Sequence, residues 1–116
     1  MASTTVRFVA DSTSREQIYS ALSDETRAVT VRLDDQGVAE DAFPLAVTGD
    51  VLATLKSVNA LVLGGDFWID ADGLFQPVYA TWHYDGQAPP ESIELARQTL
   101  REPWVSEDWY VSFVWR

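Results

Sequence analysis

The run Leu61-Val62-Leu63-Gly64-Gly65-Asp66-Phe67-Trp68-Ile69-Asp70 sets a glycine pair and an acid inside an apolar, strand-like stretch. Two glycines before an acid suggest phosphate chemistry, in which backbone amides at a helix start wrap an anion. That chemistry needs the pattern GxxxxGK[ST], which is absent, and no helix start follows Gly65. A structural kink fits better, since glycine inside a strand marks a bulge or the close approach of another group. Asp66, Asp70 and Asp72 offer the oxygen ligands that calcium takes, and Asp70-Ala71-Asp72-Gly73 resembles half of an EF-hand loop. The terminal Glu and the flanking helices are missing, and a hairpin turn accounts for the same residues. His83 is the sole histidine and there is no cysteine, which leaves Ser-His-Asp as the one familiar triad to test. No GxSxG elbow exists, and the serines fall mostly at element ends. His83, between Trp82 and Tyr84, reads as a strand residue. No catalytic residue, metal ligand or cofactor site is assigned, and the chain is not read as an enzyme.

The elements that position these residues follow from periodicity and caps. Thr5 to Ala10 alternates and suits a first strand. Thr13-Ser14-Arg15-Glu16 is a capping-box pattern, predicting a helix that buries Ile18, Tyr19 and Leu22 and stops near Ser23-Asp24. Ala28 to Leu33 alternates again, with Val29, Val31 and Leu33 inward, and Asp34-Asp35-Gln36-Gly37 reads as a turn. Val38 to Val47 is ambiguous, and Pro44 argues against a central strand there. Thr48 is placed as the cap of a second helix with Val51, Leu52, Leu55 and Val58 as its buried stripe. Leu61 to Ile69 is a third strand. Asp72-Gly73 predicts a tight hairpin, because a type I′ turn needs positive φ at both central positions. The return strand runs from about Phe75 to Tyr84. Pro90 can start a third helix with Ile93, Ala96 and Leu100 on one face, and Pro103 closes it. Trp109, Val111, Phe113 and Trp115 alternate along a last strand. The fold class is α+β: one domain over residues 1–116, with helices packed on one face of a largely antiparallel sheet of about five strands.

A two-residue turn fixes hairpin register. Ile69 then opposes Gln76, Phe67 opposes Val78, Gly65 opposes Ala80 and Leu63 opposes Trp82. Leu63, Phe67, Ile69, Val78, Ala80 and Trp82 make a credible core face, and the gap at Gly65 can take a neighbouring ring such as Trp82. The opposite face carries Val62, Asp66, Trp68, Asp70, Phe75, Tyr79, Thr81 and His83. Two readings of that mix stand: helices cover it and a bulge shifts the register, or it is an exposed, acid-studded aromatic surface of the kind that concentrates binding energy.

Composition bounds the answer. A chain of 116 residues, 47% apolar with five Trp, five Phe and four Tyr, can build one core and is not disordered. Asp and Glu number 18 against 8 Lys and Arg, a net charge of -10. That repels nucleic acid and anionic membranes and favours a basic protein partner reached by electrostatic steering. No apolar run approaches the roughly 20 residues that span a bilayer. MASTTVRFVA lacks the basic and apolar regions of a signal peptide, so the expected location is the cytoplasm.

Leu63-Gly64-Gly65-Asp66-Phe67-Trp68, Gly73, Pro77-Val78-Tyr79-Ala80-Thr81-Trp82-His83-Tyr84-Asp85, a helix containing Ser92 and Ala96, and an aromatic last strand together resemble the immunity protein 40 family of bacterial polymorphic-toxin systems. The shared pattern is LGGDxW, a turn, PxYxxWxxD and a helix. It spans Leu61 to Trp115, while the N-terminal half matches in general layout. The resemblance implies a cytoplasmic protein that binds and neutralises a cognate toxin domain delivered by a neighbouring cell. The family motif falls on Gly64, Gly65, Asp66, Tyr79, Trp82 and Asp85, of which the physical reading makes the glycines and Trp82 structural. The leading expectation is a stoichiometric inhibitor of a basic toxin domain, with Asp66, Trp68, Asp70, Tyr79 and Asp85 as the partner-binding residues; alternatively, the two Asp-rich turns form the contact patch. A second expectation is an assembly module that forms a homodimer through the aromatic face and buries Trp68. A third is a small-ligand domain with a deep pocket near His83.

Overall fold

Ser14 opens the first described helix. Its hydroxyl accepts the Gln17 amide at 3.1 Å, and the Gln17 side chain accepts the Ser14 amide at 2.7 Å. The capping box therefore sits one residue later than Thr13–Glu16 predicted, with Gln17 as the reciprocal partner. The structure is a computed structural model that describes residues 13–116, so the strand expected over Thr5 to Ala10 lies outside the described residues. Helix α1 spans Arg15–Ala21 and buries Ile18. Where the sequence predicts only a stop, Ser23 caps a further short helix, α2, over Asp24–Val29. Ala28 and Val29 are thus helical, Val29 is exposed, and the strand expected over Ala28 to Leu33 shrinks to β1, Val31–Arg32.

A 3-10 turn, Leu33–Gln36, leads to β2 at Asp41–Pro44. This interior strand corrects the expectation drawn from Pro44: the proline closes the strand's end, where a missing amide costs little. A second 3-10 turn, Leu45–Val47, feeds helix α3, Thr48–Ser57. Thr48 does not cap that helix. It lies inside it and donates to the Leu45 carbonyl at 2.8 Å. Val51, Leu52 and Leu55 are buried as expected, while Val58 at the helix end is exposed. Strands β3, Val62–Ala71, and β4, Leu74–His83, form the long hairpin. Helix α4, Pro89–Leu100, starts on its prolines, and β5, Tyr110–Trp115, returns to the sheet centre.

Among the described residues the sheet is antiparallel throughout, in the order β1-β2-β5-β3-β4, with β4 at an outer edge. Helices α1, α3 and α4 cover one face, and the main core lies between them and Phe43, Val62, Phe67, Trp82, Val111 and Phe113. Phe67 is the hub. Its ring centroid lies 5.8 Å from Trp82, 5.4 Å from Trp109 and 5.6 Å from Trp104. Trp109, Val111, Phe113 and Trp115 all turn to this face, as their alternation predicts.

A smaller cluster of Leu33, Ala42, Trp68 and Phe75 occupies the other face. The β1–β2 loop folds over it. Gln36 clamps β4 by donating to the Phe75 carbonyl at 2.8 Å and accepting the Phe75 amide at 2.7 Å. Among the described residues, no helix is long and apolar enough to cross a membrane.

Candidate functional site

The β3–β4 hairpin starts in the expected register. Asp72 and Gly73 both have positive φ, and Ile69 pairs with Gln76. Trp68 pairs with Pro77, but the next pair is Asp66 with Thr81. One β3 residue, Phe67, thus stands against three on β4: Val78, Tyr79 and Ala80. This three-against-one bulge overturns the predicted pairings beyond Trp68. Gly65 opposes Trp82, not Ala80, and a Cβ on Gly65 would lie 2.5 Å from the Trp82 ring and 2.6 Å from the Ser112 carbonyl oxygen. The ring expected to fill the glycine gap does so from directly across the ladder. Gly64, at φ 153°, passes so near β4 that a Cβ would meet the Trp82 carbonyl oxygen at 2.1 Å. The glycine pair is therefore a structural kink.

The bulge has one outward product. Tyr79 takes a left-handed conformation, φ 65°, and stands 92% exposed. A non-glycine residue in that region is strained, and such strain persists only where surrounding structure enforces it. Here Thr81 donates to the Gly65 carbonyl at 2.5 Å and pins the ladder just past the bulge. Between the bulge and the overlying β1–β2 loop lies an open pocket of about 440 Å³. Val38 and Glu40 line its loop side, Asp66 and Trp68 its β3 side, and Tyr79 and Thr81 its β4 side.

The structure brings three of the five predicted partner-binding residues, Asp66, Trp68 and Tyr79, to this pocket and separates the other two from it. Asp66 is partly buried. Trp68 is buried, and its indole N–H donates to the Ser112 hydroxyl at 2.9 Å. Its burial is intramolecular, which leaves the dimer expectation without the exposed indole it invoked. Asp70 is exposed at the hairpin end, where its Oδ1 accepts the Gly73 amide at 2.7 Å; turn chemistry explains it, as the hairpin reading expects. Asp85 is exposed beyond the opposite end of β4. Glu40 was missed. It falls in the ambiguous segment before β2, and an acid beside Asp41 carries no sequence mark of partial burial.

Charge is unevenly neutralised. Arg15 and Arg32 converge on the buried Asp41 carboxylate, at 2.6 and 2.8 Å, and also bind Asp34 and Glu16. Hydrogen bonds donated to these carboxylates raise both guanidinium pKa values, and Arg15 in turn holds the Asp34 carboxyl below its ordinary range. Arg27 pairs with Asp24. Arg15, Arg27 and Arg32 are thus spent internally. No Lys or Arg occurs between Lys56 and Arg97, the stretch holding Asp66, Asp70, Asp72 and Asp85.

His83 is exposed beside a groove of about 150 Å³. That is below the roughly 300 Å³ at which small-molecule sites begin. Among the described residues no cluster of three or more His, Cys, Asp and Glu is arranged to hold a metal ion.

The family model described as Immunity protein 40 matches residues 32–115. The match reaches beyond the motif stretch to take in β2 and α3. No curated protein and no solved structure matches the chain. The chain belongs to the immunity protein 40 family.

Proposed function

We propose that this member of the immunity protein 40 family binds a cognate bacterial toxin domain and neutralises it by occlusion, with no catalysis of its own. The family match over residues 32–115 carries the proposal. The hairpin supports a contact surface on the β3–β4 side: it presents Asp66, Asp70 and Asp85 and an exposed Tyr79 in a stretch with no Lys or Arg. Trp68 serves from beneath, holding the strand on which Asp66 sits. The partner is a basic domain, met in the cytoplasm of the cell being protected, and opposite charge steers the encounter. Nucleic acid and anionic membrane surfaces are repelled by the same charge.

The test takes as candidate toxin the product of the gene adjacent to this chain's. Co-expression should relieve its toxicity, and the purified pair should form a complex whose residual toxin activity falls in proportion to added protein and ends at equimolar ratio. Absence of binding at low salt would overturn the proposal. Inactivation by substoichiometric amounts would overturn the non-catalytic part.

A further inference from the structure

We propose that the pocket between the β1–β2 loop and the β3–β4 bulge receives one arginine side chain of the toxin, with Glu40 and Asp66 as its counter-charges. The inference rests on the immunity reading for the identity of the partner, but the pocket's chemistry stands on its own residues.

Glu40 Oε1 is shielded from solvent and has no hydrogen-bond partner among the described residues. Shielded polar atoms without partners are rare in native folds, and leaving one unpaired is costly. The Asp66 carboxylate, partly buried on the β3 side, makes no hydrogen bond or ion pair among the described residues. Among the described residues, the nearby arginines do not serve these acids: Arg15 and Arg32 are committed to Asp41, Asp34 and Glu16. Two carboxylates thus line a largely apolar pocket that supplies them no donor, in a protein of net charge -10.

The remaining walls favour a guanidinium over an ammonium. Trp68 and Tyr79 offer aromatic surface, and a planar guanidinium stacks on rings, is weakly hydrated and donates to several acceptors at once. Its fork geometry suits carboxylates on two sides of a cleft better than a point charge does. Tyr79, held outward by its left-handed backbone, stands at the pocket rim where it can fold against the entering chain.

The test titrates Nα-acetyl-argininamide and its neutral isostere Nα-acetyl-citrullinamide into the ¹⁵N-labelled protein. The arginine derivative should shift the Trp68 indole N–H and the Tyr79 and Thr81 amides saturably, and the citrulline derivative should not. Glu40→Gln and Asp66→Asn, singly and together, should weaken that binding, and should weaken binding to the neighbouring-gene toxin domain about 10-fold or more, as loss of a shielded charge pair does. The charge-matched Glu94→Gln/Glu102→Gln on the helix side should change toxin affinity by about 2-fold at most. An unshifted indole spectrum in each free variant checks that the fold is kept, and if the double variant unfolds the single ones decide. Equal responses to the two amides, or toxin affinity insensitive to both pocket substitutions, would overturn the pocket assignment while leaving the immunity reading intact. Failure of the unmodified protein to bind the toxin would overturn that reading and, with it, the partner named here.

Discussion

Gly64 and Gly65 do different work. At Gly64 the backbone lies in the positive-φ region and a side chain would collide with a main-chain carbonyl, which cannot turn aside. Gly64→Ala should therefore cost about 3 kcal/mol or more, read as a lower urea midpoint. Gly65 leaves room for an indole, and Gly65→Ala should cost about 1–3 kcal/mol by overpacking. That both glycines are structural was legible in the sequence, because nothing around them had the order of a phosphate loop. What presses on them was not, because it depends on a ladder offset that no local pattern encodes. Ser112 is a similar case. Alternation places it opposite the core face, yet it is fully buried and receives the Trp68 indole N–H. Ser112→Ala should cost about 1–3 kcal/mol by leaving that donor unpaired, measured by the same denaturation.

The bulge shows where hairpin reasoning stops at the scale of elements. The Asp72-Gly73 turn dictates pairing as far as Trp68–Pro77, and those pairs are as expected. Beyond them β4 carries two more residues than β3, and the one turned left-handed is a tyrosine, a residue with good strand propensity, where glycine would have announced the turn. Tyr79→Gly relieves the backbone cost of roughly 1–2 kcal/mol while giving up some unfolded-state restriction. Stability should stay within about 1 kcal/mol of the parent or rise, while toxin affinity falls; a loss of stability with affinity intact would contradict the role given to the ring. The β2 strand was missed for the opposite reason. Pro44 was weighed as a breaker of central strands, but it stands at the strand's last position. With β2 unplaced, neither the loop that crosses over Trp68 nor its acid Glu40 could be located beforehand.

Charge acts over the whole molecule. Because the acids of the β3–β4 stretch have no Lys or Arg neighbours in sequence, association with a cationic domain should slow markedly between low and physiological salt, while dissociation changes less. Stopped-flow rates at two ionic strengths measure this. Acid also reaches the fold. The Thr26 hydroxyl, aided by the Ser23 amide and hydroxyl, holds the Asp50 carboxyl below its ordinary 3.8. A depressed folded-state value means that the stabilisation is complete above the unfolded value and is lost as pH falls through the folded one. The stability gap between the parent and Asp50→Asn should be full at neutral pH and close progressively below about 3.8, followed by thermal melts across that range. The overall α+β layering was readable because helix and strand periods were clean in α3, α4 and β5; the short α2 and β1 offered too few residues for either period to declare itself. The outer strand, finally, bears on behaviour in a crowded cell. Pro77 offers no amide, and the three residues after it swing out of line, so a foreign strand could zip against only a few positions on either side. Among the described residues, the sheet's open border is thereby a poor template for runaway polymerisation.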